Sequence, residues 1–328
     1  MAKIGCVILA AGEGTRMRSE KPKVLSEVLF DPMLEWVLGS VTSCNIKKIC
    51  VVVGFGHETV KNFLADSGYS YELAVQDHRK GTAHAVLMAS NFLEENSIES
   101  VLVLNGDSPF MESGTIMEAY GEHLRSENSA TIISANLENS SGYGRIVRNS
   151  AGRICSVIEE ADADEHEKQI KEVNSGAYWF KTKDLLECLS VVPLSACGEY
   201  YLTSVIELLL KNNHKVGAFL AQDPVVVLGA NNSEQLEVLN KIAKTRVVEK
   251  FKNQGIRIPY DEDVIIGRDV EIGEGTTILS DVTLLKKTRI GKNCIIGPGT
   301  NIVGISIEDN ANIIFRDLSV QKNRVAIG

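Results

Sequence analysis

No Cys-x-x-Cys pair occurs in this chain. Its seven cysteines, at positions 6, 44, 50, 155, 188, 197 and 294, are scattered, so neither a zinc site nor a disulfide framework is indicated, and they read as reduced, small core residues. No apolar run approaches the roughly 18 to 20 residues that span a bilayer, and the N-terminus lacks a signal-peptide pattern. The expectation is a cytoplasmic protein with no membrane partner. A basic surplus is also missing: 34 Lys and Arg stand against 43 Asp and Glu, a net charge of −9. That balance excludes a nonspecific nucleic-acid surface, and it requires any anionic substrate to be met by local cations. What is present is an ordinary globular composition, 44% hydrophobic and 23% charged, in 328 residues, a length that implies two domains.

The segment from Leu9 to Lys23 joins an apolar strand to a flexible, cation-bearing loop. Residues 4–9 read as a buried strand, with no polar alternation. Ala10, Ala11, Gly12 and Gly14 then remove side-chain bulk where the backbone must approach a ligand, leaving N–H groups free for phosphate oxygens. Arg16 and Lys23 add positive charge suited to a triphosphate. A tight strand-to-helix turn with solvated cations is the plainer alternative.

Up to about residue 228, short apolar runs alternate with helical patterns, which predicts a Rossmann-like α/β fold: a mixed, mostly parallel sheet with helices on both faces. The expected strands are 4–9, 49–53, 71–75, 101–104, 130–135, 154–158, 176–180 and 224–228. A helix is expected to start with Asp31 as N-cap and Pro32 at its first position, another at His57, and a third over residues 81–93. In such folds ligands lie beyond the carboxyl ends of the strands, which places a site at the loop after residues 4–9.

Residues 233 to about 253 read as a long helix with Leu236, Leu239, Ile242 and Val247 as its stripe. Beyond Pro259 an aliphatic residue recurs every six positions, at Ile266, Ile272, Ile278, Leu284, Ile290, Ile296 and Ile302, with Gly following at 267, 273, 291 and 297. This is the hexapeptide pattern of a short left-handed parallel β-helix, three hexads per turn with the aliphatic residues inward. The seven hexads account for little more than two coils, and their order breaks down after Ile302. The domain reading is therefore residues 1–230 for the sheet domain, 231–258 for a helical connector and 259–328 for the β-helix and its tail.

Several short segments converge on the carboxyl edge of the sheet. Asp107 follows the strand 101–104 in Asn105-Gly106-Asp107, where a carboxylate can hold a hard divalent cation or cap a turn. Gln76 and Gly81-Thr82 suit a base or phosphate, while His84 reads as a packed helix histidine. Gly142-Tyr143-Gly144-Arg145 permits close approach to a sugar, or forms a hairpin turn. Glu159 and Asn174 offer a carboxylate and an amide for sugar hydroxyls, and Asn231 offers a neutral oxygen to a metal.

Leu-Ala-Ala-Gly-x-Gly-Thr-Arg-Met followed by Pro-Lys-Val-Leu resembles the sugar nucleotidyltransferases. Gln76, Gly81-Thr82, Gly106-Asp107, Gly142-Tyr143-Gly144-Arg145-Ile146, Val173-Asn174-Ser175-Gly176, Gly198-Glu199-Tyr200-Tyr201-Leu202-Thr203 and Asn231-Asn232 narrow the resemblance to the bacterial N-acetylglucosamine-1-phosphate uridylyltransferases. It covers almost all of residues 4–300. The resemblance implies a transferase that makes UDP-N-acetylglucosamine for cell-wall peptidoglycan from UTP and N-acetylglucosamine-1-phosphate, with Mg²⁺. It implies Arg16 and Lys23 as catalytic residues on the triphosphate, and Leu9, Ala10, Ala11, Gly12, Gln76, Gly81 and Thr82 as the nucleotide site. Gly106, Gly144, Glu159 and Asn174 match the sugar positions, and Asp107 and Asn231 the metal ligands. A homotrimer through the β-helix is the expected assembly.

The chain departs from that family in three places. Family members continue for well over a hundred further residues that hold an acetyltransferase site, so that activity is expected to be absent here, with a natural short form favoured. A tyrosine commonly precedes the Gly-Asp pair, where Asn105 stands, and a lysine-aspartate pair often follows Glu159, where the chain reads Glu160-Ala161-Asp162. The competing readings are a nucleotidyltransferase for another sugar phosphate, such as glucose-1-phosphate with UTP, dTTP or ATP, and a non-catalytic assembly or regulatory subunit.

Overall fold

A computed structural model describes residues 3–12, 14, 17, 21–195 and 198–319. The chain forms two compact units, Met1–Glu27 with Asp31–Leu236, and Val28–Phe30 with Glu237–Gly328.

The first unit is built on a nine-stranded sheet. Its strands are β1 (Ile4–Ala10), β2 (Ile49–Val53), β3 (Glu72–Val75), β4 (Ser100–Asn105), β5 (Ala130–Asn136), β6 (Arg145–Arg148), β7 (Ile154–Ile158), β8 (Glu172–Lys181) and β9 (Val216–Leu220). Their order is β9-β5-β8-β4-β1-β2-β3, with the β6–β7 hairpin attached to β8 through the Val173–Arg145 pair. β1 lies between parallel neighbours, Ile8 facing Val51 on one side and Leu104 on the other, whereas β8 runs antiparallel to both β4 and β5. The sheet is thus mixed and mostly parallel.

Alternation along the strands feeds two cores. Cys6, Ile8, Leu102, Leu104 and Trp179 pack with residues from α1 (Met33–Ser43), α2 (His57–Ser67) and α5 (Ser113–Arg125). Val7, Val52, Val101, Val103 and Phe180 pack with α3 (Thr82–Leu87), α4 (Ser90–Glu95), α6 (Thr182–Leu189) and α7 (Thr203–Lys211). Burial on both faces explains why β1 and the 101–104 stretch of β4 are apolar. Each fully buried Ile, Leu or Val contributes roughly 1.5–3 kcal/mol before entropy is counted.

Local chemistry shifted several elements from their expected places. Residues 224–227 form a 3₁₀ turn instead of a strand, because Asp223 Oδ1 accepts the Val225 N–H at 3.0 Å and Pro224 opens the turn. The strands at 145–148 and 216–220 were not anticipated; both are short, and Val216–Leu220 is only partly buried, so neither carries a strong apolar run. α1 starts at Met33, with Pro32 as its N-cap. The helix expected over 81–93 is two, broken at Met88–Ala89. α8 (Ser233–Asn253) buries Leu239, Ala243, Val247, Val248 and Phe251.

The second unit contains a left-handed parallel β-helix of three short parallel sheets. Ile266, Leu284 and Ile302 stack in one sheet, Ile272 and Ile290 in the next, and Ile278 and Ile296 in the third. A second inward position lies two residues earlier, filled by Val264, Val270, Thr276, Val282, Thr288, Cys294 and Thr300, all buried. The coil continues beyond Ile302, contrary to the expectation from hexad order: Ile307 pairs with Ile290, Ile313 with Ile296 and Leu318 with Ile302. The steps from Ile302 to Ile307 and from Ile313 to Leu318 are one residue short, which hides the continuation from a six-residue count. Three coils and the opening strand of a fourth are formed.

Cys6, Cys44, Cys50, Cys188 and Cys294 are buried and unpaired and Cys155 is exposed, while Cys197 lies outside the described residues. Burial pushes the Cys44 thiol up to about 11 and the Cys50 thiol up to about 12, which keeps both protonated and inert. Among the described residues no helix is long and apolar enough to cross a membrane.

Candidate active site

The carboxyl ends of β1, β3 and β4 open on a cavity of 920 Å³. Leu9, Ala11, Gly12, Lys23, Gln76, Gly81, Thr82, Asp107 and Asn231 line it, so most of the nucleotide positions expected from the sequence converge here. A second cavity of 340 Å³ is lined by Gly144, Glu159 and Asn174, the expected sugar positions, together with Tyr143 and Thr203. The two share Leu9, Thr82, Asn105, Asp107 and Asn231. Two expected contacts line neither cavity. Ala10 is fully buried in the core, and Gly106 is buried beneath the turn, its N–H donating to the Leu9 carbonyl at 2.9 Å. Arg16 lies outside the described residues.

Lys23 opens a one-turn 3₁₀ helix anchored by buried Val24 and Leu25, which fixes the root of its side chain. Its ammonium donates to Asn231 Oδ1 at 2.6 Å and pairs with Asp107 Oδ2. The lysine is 13% and the aspartate 22% exposed, so the pair is only lightly screened by solvent. A carboxylate oxygen and an amide oxygen therefore face one cationic point at the wall between the cavities.

Gln76 continues the ladder of β2, its N–H donating to Val53 O at 2.8 Å, and its side chain is buried. Its Nε2 donates to Gly81 O at 3.1 Å and lies 2.9 Å from His84 Nδ1. Burial, then the nearby Lys80 and His78, lower the His84 pKa, so the imidazole is neutral and Nδ1 accepts. Both amide hydrogens of Gln76 are thereby used, and Oε1 remains as its acceptor toward the cavity. His84 itself lines neither cavity and acts by orienting Gln76.

Gly81 is held by the segment that carries Glu199-Tyr200-Tyr201-Leu202. Tyr200 N–H donates to Lys80 O at 2.7 Å, Ala83 N–H to Tyr200 O at 2.9 Å, and Leu202 N–H to Thr82 Oγ1 at 2.9 Å. Gly81 has φ +98°, and a Cβ there would lie 2.5 Å from Tyr200 O, so no other residue fits.

Beside the smaller cavity, Arg145 is buried, and its Nη1 reaches Glu160 Oε2 at 2.7 Å and the Tyr143 carbonyl. The same Glu160 oxygen accepts the Gly142 N–H at 3.0 Å, which pins the loop 141–144. Glu159 Oε1 accepts from Thr203 Oγ1 at 2.9 Å, and burial raises the pKa of this carboxyl. Asn174 Nδ2 donates to Tyr178 Oη at 2.6 Å, while its Oδ1 accepts the Gly176 N–H at 3.0 Å. Sequence reasoning gave no site role to Tyr178, which lies in an expected strand, or to Thr203, quoted only within the 198–203 motif, and it did not foresee the Arg145–Glu160 clamp, because the strand at 145–148 was not anticipated. Arg79 and Lys80, on the rim of the larger cavity, carry a sequence signal that was available: adjacent cations just before Gly81.

Comparison with known proteins agrees with this architecture. The nucleotidyl transferase family matches residues 5–235, and the bacterial transferase hexapeptide (six repeats) family matches residues 269–304. The bifunctional protein GlmU of Caldanaerobacter subterraneus subsp. tengcongensis is 37% identical over 331 residues, covering 100% of this chain and 71% of that protein. The bifunctional protein GlmU of Acetivibrio thermocellus is 40% identical over 308 residues, covering 94% of this chain and 66% of that protein. A crystal structure from Bacillus anthracis, described as a candidate glucose-1-phosphate thymidylyltransferase in complex with sucrose, superposes with a TM-score of 0.61 at 21% identity. It covers 73% of this chain and 95% of that one, and the likeness bears on the fold. The sheet, its paired cavities and the relatives that match along the whole length lead to one assignment: this chain belongs to the nucleotidyl transferase family.

Proposed function

We propose that the protein transfers a uridylyl group from UTP to N-acetylglucosamine-1-phosphate, releasing pyrophosphate and UDP-N-acetylglucosamine. The observation that carries this reading is the junction of the two cavities at Lys23, Asp107 and Asn231. A nucleoside triphosphate in the larger cavity and a sugar phosphate in the smaller would bring their phosphates to the same cationic point.

The residues divide the work by chemistry. Gln76 Oε1 accepts the imide N–H of uracil, a donor that cytosine lacks, with the backbone at Ala11, Gly12 and Gly81 around the base and ribose. Lys23, joined by Arg16, neutralises the triphosphate, and the loop around Gly144 with Glu159 and Asn174 receives the sugar. An oxygen of the sugar phosphate attacks the α-phosphorus in line and pyrophosphate departs. No side chain must remove a proton, because a phosphate monoester is largely ionised at neutral pH. Positioning and charge neutralisation supply the rate.

Asp107 and Asn231 fit a hard divalent cation, since their oxygens already converge on a positive charge. Such an ion would complete its shell with phosphate and water. Bound Mg²⁺ would offset charge on the phosphate oxygens. Residues 1–230 are proposed to hold this chemistry, with the hexapeptide β-helix of residues 259–328 joining three copies as a homotrimer in the cytoplasm. Pyrophosphate release assayed with UTP, dTTP and ATP against N-acetylglucosamine-1-phosphate and glucose-1-phosphate tests the reading. The UTP and N-acetylglucosamine-1-phosphate pair is expected to be fastest; a faster pair of another kind overturns the substrate assignment.

A further inference from the structure

We infer that His84 makes the base site select uracil over cytosine, by locking the Gln76 side chain in the one orientation that admits uracil. The inference rests on the transferase reading above, which places the base against Gln76, and it adds a positioning residue that itself lines neither cavity.

A glutamine amide is nearly symmetric in shape, so the end that faces a ligand is decided by what holds the other end. The Gln76 side chain is buried, and water does not make that choice. Its Nε2 lies 3.1 Å from Gly81 O and 2.9 Å from His84 Nδ1. Gly81 O can only accept, and the Ala85 N–H fixes it at 3.1 Å. His84 joins it as a second acceptor because the ring is neutral: burial first, then Lys80 and His78, lower its pKa. The ring is also held in place, since the Ala83 N–H donates to Tyr200 O at 2.9 Å and ties the start of α3 to the segment at 199–202.

Uracil carries an N–H at N3 where cytosine carries a lone pair, so the two bases ask opposite things of the amide. Oε1 accepts from uracil. For cytosine the amide must turn over, which sets Oε1 against Gly81 O and His84 Nδ1, two acceptors at once. Buried acceptors opposed in this way lose their hydrogen bonds without gaining water. A site so built rejects the analogue that lacks the matching group. Gly81 supplies half of the lock through its backbone, and His84 supplies the half that a side-chain substitution removes.

The wild type, His84→Phe and His84→Asn are compared by the ratio of kcat/KM for UTP to that for CTP, with N-acetylglucosamine-1-phosphate and Mg²⁺. Both nucleotides carry the same ribose and triphosphate, so damage to folding, to the phosphate end or to the sugar cavity cancels in the ratio. Phenylalanine removes the acceptor, and the ratio is expected to fall roughly fivefold, the worth of one hydrogen bond. Asparagine restores an acceptor through Oδ1, and its ratio is expected to stay within about twofold of the wild type. A ratio unchanged in His84→Phe, or one that falls as far in His84→Asn as in His84→Phe, contradicts the role of His84 and leaves the transferase reading standing. A wild type that uses UTP and CTP equally well overturns the base assignment of Gln76 together with this inference, and one inactive with both nucleotides overturns the transferase reading as well.

Discussion

Lys23 Nζ donates to Asn231 Oδ1 at 2.6 Å across 208 positions of sequence, closing the strand-to-helix loop at the start of the sheet onto the last segment of the same unit. Asp107 completes the arrangement from the other side. One ammonium thus sits at the junction of the two cavities, where the proposed transfer requires charge to be neutralised.

Lys23→Ala removes that charge where it is most needed. Turnover is expected to fall on the order of 10²- to 10³-fold, the usual consequence of losing a preorganised electrostatic group. Because the freed Asp107 is 22% exposed and can be hydrated, thermal melting is expected to shift little. Near-normal pyrophosphate release by the folded variant contradicts the role.

Asp107→Asn keeps the shape and deletes the negative charge. The Mg²⁺ concentration for half-maximal rate should rise at least tenfold, in the range of roughly 10- to 100-fold that loss of even an outer ligand partner costs. A Mg²⁺ titration of the rate checks it, and an unchanged midpoint removes Asp107 from the metal site.

Gly81→Ala introduces a Cβ 2.5 Å from the Tyr200 carbonyl at a backbone with φ +98°. The expected cost is about 1–3 kcal/mol of stability, and because Gln76 Nε2 bonds the Gly81 carbonyl, UTP affinity should weaken as well. Denaturant unfolding and nucleotide titration measure the two effects separately.

His123 is buried beside Tyr120 and Trp179, with Nδ1 3.1 Å from Thr131 Oγ1 and no partner for Nε2 among the described residues. Burial, helped by Lys181, holds its pKa down to about 4. The unfolded chain therefore takes up a proton near pH 6.5 that the folded one refuses until about pH 4, so stability present above pH 6.5 is lost as pH falls through that window. The loss is on the order of 3 kcal/mol at most. Melting of the wild type at pH 7.5 and pH 5 should differ more than melting of His123→Phe; equal differences contradict the account.

Inside the β-helix, Thr288 Oγ1 donates to Leu285 O at 2.6 Å and accepts the Gly304 N–H at 3.0 Å. Thr288→Val preserves volume and removes both hydroxyl bonds, but the Gly304 N–H keeps its bond to Leu285 O at 3.1 Å, so the predicted loss is about 0.5–1.5 kcal/mol. Denaturant unfolding followed in the full chain measures it.

The parts legible in the sequence were those written as periodicity or as compact motifs. The unbroken apolar runs of β1 and β4 announced a sheet covered on both faces, and Ile266 through Ile302 announced the coil. The one-residue contractions before Ile307 and Leu318 removed the signal without removing the structure, because pairing depends on inward stacking and not on a constant count. Asp223 and Pro224 turned an apolar run into a 3₁₀ turn, a case of capping chemistry overriding hydrophobicity. At the site, Gln76, Lys23, Asp107 and Asn231 could be named from spacing, but their joint geometry could not. The packing of Asn105 against Gly176 joins segments about 70 residues apart, which no local pattern encodes.

The central claim is that the two cavities join a uridylyl group to a sugar phosphate at Lys23, Asp107 and Asn231. Phosphorus NMR of the full chain with UTP, N-acetylglucosamine-1-phosphate and Mg²⁺ tests it most directly. The account predicts that pyrophosphate and the diphosphate resonances of UDP-N-acetylglucosamine grow in equal amounts as both substrates decline. Spectra that stay unchanged, or UTP that breaks down without consuming the sugar phosphate, would contradict it.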